Sequence, residues 1–118
     1  MTAPDVAGRR RVVAAYEPQA RVPITMVAGE PLAVGREDDE WPGWRWCTNR
    51  AGVSGWVPAS YLHEAGAGFV AACDYDAREL AVAAGAEVTV ISILAGWAWC
   101  AGGDGAEGWV PLRNLGPG

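Results

Sequence analysis

Apolar and polar residues alternate in short runs along most of this chain, which is the spacing of half-buried β-strands. In residues 30–37, for example, Leu32 and Val34 fall on one face of an extended chain. No stretch of ten or more residues has the spacing of a helix. The pattern predicts short strands at residues 11–16, 30–37, 44–48, 53–57, 62–63, 69–73, 87–94, 97–101, 107–110 and 115.

This pattern occurs twice along the chain. The segments Gly-Trp-Arg-Trp-Cys and Gly-Trp-Val-Pro, which begin at Gly43 and Gly55, return 53 residues later as Gly-Trp-Ala-Trp-Cys and Gly-Trp-Val-Pro. Six of the seven tryptophans lie in these segments, so we interpret the chain as a duplicated structural unit. The predicted organisation is a flexible arm at residues 1–10, a domain at 11–63, a linker at 64–67 and a second domain at 68–116.

Charge narrows the class of partner. The formal net charge is −5, and it arises after residue 62, where two arginines face seven acids. We therefore expect no nucleic-acid partner. Arg9, Arg10 and Arg11 could meet an anionic surface, but we interpret them as the solvated end of the arm. No signal-peptide core is visible, and glycine and glutamate interrupt the apolar window at 81–101, so we expect a cytoplasmic protein that does not span a membrane.

Few residues of this chain could catalyse a reaction or bind a metal ion. Cys47, Cys73 and Cys100 form no close pair, and we expect them to be reduced, with Cys47 and Cys100 buried in the core. They do not make a metal site with the single His63, and we expect no cofactor. Clustered acids could in principle supply an acid/base pair at Asp74, Asp76 and Glu79. A small all-β chain without a deep cleft is a poor scaffold for that, so we expect no enzyme.

The first strand ends in an Ala-x-Tyr-type motif, a tryptophan opens the third strand, and Gly-Trp-Val-Pro-x-x-Tyr lies near the end of the first copy. On these motifs both copies resemble a Src-homology-3 (SH3) domain in its bacterial variant form. The resemblance covers nearly the whole chain. It implies an all-β fold of two small five-stranded SH3-like barrels in tandem.

In that family a shallow aromatic groove accepts proline-rich peptides. Carried over by position, the groove of the first copy comprises Tyr16, Trp44, Pro58 and Tyr61. Beside it, a loop offers a further aromatic ring and three acids that could attract a basic ligand residue, at Trp41, Asp38, Asp39 and Glu40. A solvated loop with an aromatic lid is the alternative reading of these four residues. The second copy keeps a weaker groove of Tyr75, Trp97 and Pro111, because Cys73 and Asn114 stand where the family has groove tyrosines.

The resemblance implies a non-enzymatic adaptor that binds an extended or proline-containing peptide with basic residues, mainly through the first domain. Such a peptide loses little entropy on binding, and its proline rings pack on flat aromatic faces. Two alternatives remain open at this point. One is a structural or assembly scaffold whose groove aromatics are buried between the two domains, and the other is a cell-wall (peptidoglycan) binding module.

Overall fold

A computed structural model describes residues 8–18 and 22–117. Within them the chain is all-β, as the sequence predicts, with two short 3-10 turns at Ala59–Tyr61 and Leu112–Asn114. The strands are β1 (Arg9–Arg11), β2 (Thr25–Met26), β3 (Pro31–Glu37), β4 (Trp44–Thr48), β5 (Ser54–Pro58), β6 (Leu62–Ala65), β7 (Gly68–Ala71), β8 (Tyr75–Asp76), β9 (Glu87–Leu94), β10 (Trp97–Ala101) and β11 (Glu107–Pro111).

The strands form antiparallel sheets. One sheet has the order β5-β4-β3-β7-β6, a second has the order β1-β9-β10-β11, and β2 pairs with β8 alone. The isolated bridge between Val12 and Leu115 lies just beyond β1 and adds a further neighbour at that edge of the second sheet. The strand neighbours therefore follow the same order in both sheets, with β7 beside β3 and β1 beside β9.

The contacts divide the described chain into two compact units that do not follow the predicted domains at 11–63 and 68–116. The continuous unit comprises residues 22–78, and the split unit joins residues 8–18 to residues 79–117. The continuous unit is thus an insertion between two parts of the split unit.

Strand pairing explains this division. β1 pairs with β9 of the second copy, with Arg9 opposite Thr89, whereas β7 pairs with β3 of the first copy, with Pro31 opposite Val70. Each copy therefore receives the strand that precedes the other copy's repeated segments. Arg9, Arg10 and Arg11, which we expected to be the solvated end of the arm, form β1. The first strand predicted at 11–16 is present beyond Arg11 only as isolated bridges at Val12 and Tyr16. The rest of the predicted arm, residues 1–7, lies outside the described residues.

The predicted linker at 64–67 is part of a hairpin. β6 ends at Ala65, β7 begins at Gly68, and Gly66 takes a positive φ of 62° in the turn between them. A two-residue connection with positive φ is a favoured turn for antiparallel neighbours. The hairpin therefore keeps β7 with β6, which accounts for its place in the continuous unit.

Each unit buries its own small apolar core. In the split unit it comprises Val12, Val88, Val90, Ala98, Cys100, Val110 and Leu115. In the continuous unit the buried side chains include Ile24, Met26, Leu32, Cys47, Val57 and Ala71. Burial raises the pKa of the Cys47 and Cys100 thiols to about 11, so they are neutral apolar groups in the core. All three cysteines are free, and Cys73 is half-buried.

Candidate functional site

Two aromatic ladders lie on the repeated hairpins. On β4 and β10 alternate residues share a face, so each hairpin turns two tryptophans away from its buried cysteine. The cross-strand partners are Trp44 with Pro58, Trp46 with Trp56, Trp97 with Pro111, and Trp99 with Trp109. The Trp46 and Trp56 rings meet edge to face at 5.0 Å between centroids, and Trp99 and Trp109 do so at 5.3 Å. Aromatic cross-strand pairs of this kind stabilise a sheet.

In the split unit, Tyr16 lies against Trp97. Their ring centroids are 5.8 Å apart, the planes cross at 81°, and both side chains are half-buried. The Tyr16 hydroxyl donates a hydrogen bond of 2.6 Å to Glu79 Oε1. Two aromatic walls and a carboxylate therefore meet at one partly open place, and we call Tyr16, Trp97 and Glu79 the aromatic site.

The backbone on both sides of this site is fixed. Tyr16 exchanges two hydrogen bonds with Val82, at 2.9 and 3.0 Å. Asn114 Nδ2 donates to the carbonyl oxygens of Ala14 and Ala15 at 3.0 and 3.1 Å. Asn114 stands where Tyr61 stands in the first copy, so the residue that removes one aromatic wall also anchors the segment leading to Tyr16.

The aromatic set of the continuous unit is more closed. Trp44 is 4% exposed, Pro58 is buried and Tyr75 is 8% exposed. The Tyr75 hydroxyl donates to the backbone oxygen of Trp56 at 3.0 Å, and Tyr61 packs edge to face on Tyr75 with centroids 5.6 Å apart. Burial raises the pKa of Tyr61. These rings are therefore mostly in contact with the protein and leave little face for a ligand.

The acidic loop between β3 and β4 is partly committed to its own backbone. Asp38 Oδ1 accepts a hydrogen bond from the Glu40 N–H at 3.2 Å, and the Asp38 N–H donates to the Trp44 oxygen at 2.9 Å. Asp39 and Glu40 are exposed, and Trp41 is half-buried. Asp39 and Glu40 are thus the most exposed acids of this loop.

The predicted groove residues are consequently regrouped. The structure places Tyr16 with Trp97 rather than with Trp44, and it places Tyr75 with Tyr61. Pro111 is buried and offers no open face. Sequence reasoning missed Glu79 as a partner of Tyr16, because residues 63 apart in the chain become neighbours only through the exchanged strand.

A second polar cluster holds the continuous unit together. Glu30 Oε2 accepts the Arg50 N–H at 3.0 Å and Glu30 Oε1 accepts the Val27 N–H at 3.2 Å. The hydrogen bond from the Arg50 backbone, followed by that from Val27, lowers the pKa of Glu30. Asn49 Nδ2 donates to the Thr25 oxygen at 2.8 Å beside it. These groups line an open depression, but their bonds are internal, and we interpret the cluster as structural.

The described residues contain no group of three or more His, Cys, Asp or Glu side chains that could hold a metal ion. Within the same residues, no helix has the length and apolar character needed to cross a bilayer. Comparison of the chain with protein-family models and with curated proteins found no match. We therefore infer function from the geometry of the aromatic site.

Proposed function

We propose that this chain is a non-enzymatic interaction module of two SH3-like barrels that binds an extended, proline-containing peptide. The observation that carries the proposal is the half-buried edge-to-face pair of Tyr16 and Trp97 with the Glu79 carboxylate beside it. Crossed aromatic faces suit proline rings of an extended peptide, and the carboxylate suits a basic residue next to them. The proposal includes the cytoplasmic adaptor role expected from the sequence.

The shared strand order of the two sheets supports two copies of one barrel-like fold. In this proposal the binding site belongs to the split unit, because Trp97 is half-buried whereas Trp44 and Pro58 are buried. The buried aromatic set favours a structural role for the continuous unit, which is the second function we consider.

The test is titration of the isotope-labelled protein with synthetic proline-rich peptides, one with a single arginine and one in which alanine replaces every proline. Binding is followed through the indole N–H signals. Trp97→Ala is compared with Trp44→Ala, its match in the first copy. A small interface draws most of its energy from a few aromatic anchors, so loss of the true anchor costs about 2 kcal/mol, or roughly thirtyfold in Kd.

Because Trp44 is buried, circular dichroism and the dispersion of the indole signals first establish that both variants are folded. With both variants folded, we expect that loss for Trp97→Ala and less than threefold for Trp44→Ala. A loss confined to Trp44→Ala would place the site in the continuous unit instead. Equal binding of the alanine peptide would refute proline recognition, and no binding by any peptide would favour the scaffold function.

A further inference from the structure

The aromatic site joins two parts of the chain that the continuous unit separates in the sequence. Tyr16 precedes the insertion and Glu79 follows it, and the Tyr16 hydroxyl bonds Glu79 across that gap at 2.6 Å. The backbone bridge between Tyr16 and Val82 closes the same gap. The site is therefore complete only when two distant parts of the chain are brought together.

We propose that folding of the continuous unit holds the aromatic site closed, so that the two units are thermodynamically coupled through the chain that joins them. In the continuous unit the Ala77 N–H donates to the Ile24 oxygen at 3.0 Å, which brings the two ends of that unit side by side. A folded insertion with adjacent ends acts as a short connection. An unfolded insertion acts as a long flexible loop.

The size of the effect follows from loop-closure entropy. With the continuous unit unfolded, closure of the Tyr16 bridge to Val82 spans roughly 65 residues, whereas the bond between Ala77 and Ile24 in the folded unit shortens the span to be closed to about 12 residues. Closure probability falls as the three-halves power of loop length, so the ratio is roughly tenfold. Because coupling free energies are reciprocal, closure of the split unit stabilises the continuous unit by the same factor.

This coupling bears on the proposed peptide binding and, in that respect, depends on the proposed function. A partner that binds the folded continuous unit would favour the closed aromatic site, and a ligand of the site would favour the folded continuous unit. The coupling itself is measurable without any ligand. Failure of the peptide proposal and failure of this proposal are therefore distinguishable.

The test uses the full chain with Val57→Asp, which puts a charge in the core of the continuous unit, where Val57 is fully buried. Val27→Asp is the matched control, because it adds the same charge in the same unit at a side chain that is 59% exposed. Native-state hydrogen exchange is read at the amides of Val82 and Gly116, which donate to Tyr16 and Arg11 and so report closure of the split unit.

We expect the protection of these two amides to fall roughly tenfold in Val57→Asp and to remain unchanged in Val27→Asp. If the continuous unit survives Val57→Asp, a double variant with Ile24→Asp unfolds it. If the split unit unfolds altogether, trimethylamine N-oxide returns it to the measurable range, where the tenfold difference is expected again. Protection within twofold of the wild type, with the continuous unit unfolded, would overturn the proposal.

Discussion

Gly108→Ala tests the closest approach in the split unit. A Cβ added at Gly108 would lie 2.7 Å from the Glu79 carbonyl carbon and 2.8 Å from the Leu80 nitrogen. Both atoms belong to the backbone and cannot turn aside as a side chain could. The segment that carries Glu79 must therefore move away from β11, which strains the 3.0 Å hydrogen bond from the Leu80 N–H to the Trp109 oxygen.

The expected loss in the free energy of unfolding has two sources. Overpacking of a tight contact costs about 1–3 kcal/mol, and a weakened backbone hydrogen bond adds about 1 kcal/mol. We therefore expect Gly108→Ala to lower the free energy of unfolding by about 3 kcal/mol. A unit of roughly 50 residues has a total stability of about 3–7 kcal/mol, so this loss would be a large share of it.

The assay is urea unfolding followed by tryptophan fluorescence, with hydrogen exchange to assign the loss to the split unit. Gly103→Ala is the control, because a Cβ there meets no atom within 4 Å and its backbone is not in the left-handed region. That variant is expected to stay within about 1 kcal/mol of the wild type. A loss below about 1 kcal/mol for Gly108→Ala would refute the reasoning, since the contact would then be relieved without cost.

Three further predictions concern the fold and its charges. A fragment of residues 21–78 is expected to fold and give a dispersed NMR spectrum, whereas a fragment of residues 11–63, which lacks β7, is expected to be unfolded. The opposite result would contradict the division of the chain into a continuous and a split unit. Because folding lowers the pKa of Glu30, the stability that its carboxylate contributes is complete above pH 4.5, its ordinary pKa, and is lost as the pH falls further. Glu30→Gln should therefore lose less stability than the wild type between pH 6 and 3, as measured by urea unfolding. Equal losses would show that Glu30 does not cause the loss of stability in acid. If the Glu79 carboxylate attracts a basic residue of the peptide, the affinity should fall as salt rises, and indifference to salt would exclude that role.

The sequence was sufficient for the strands but not for their partners. Local alternation predicts β3, β4, β9 and β10 well, because the period of two depends on neighbouring residues alone. Local alternation cannot decide whether β1 or β7 pairs with β3, and which of them pairs with β9, because the duplicated sheets offer both an equivalent partner strand. The hairpin turn at Gly66 was the local sign that β7 stays with the first copy, and its place at the repeat boundary makes it look like a linker.

The same exchange decides how much of the aromatic site was predictable. The motifs predict both Tyr16 and Trp97 as groove residues but assign them to different domains, whereas the two rings are in contact. Glu79 stands out only as one of several clustered acids, since its bond to Tyr16 needs the exchanged strand. The chemistry of the side chains was thus visible in the sequence, whereas their grouping depended on long-range pairing.

Divergence between the two copies fits a division of roles between the units. The continuous unit has Glu30 bound to two backbone N–H groups, where the second copy has Ala86 at the corresponding place. It also fills its aromatic set with Tyr61 packed on Tyr75, whereas the split unit has Asn114 in place of the first of these rings. Internal bonds and filled rings favour stability, and an unfilled aromatic wall favours binding. Both differences are consistent with the proposed coupling, in which the folded continuous unit holds the aromatic site of the split unit closed.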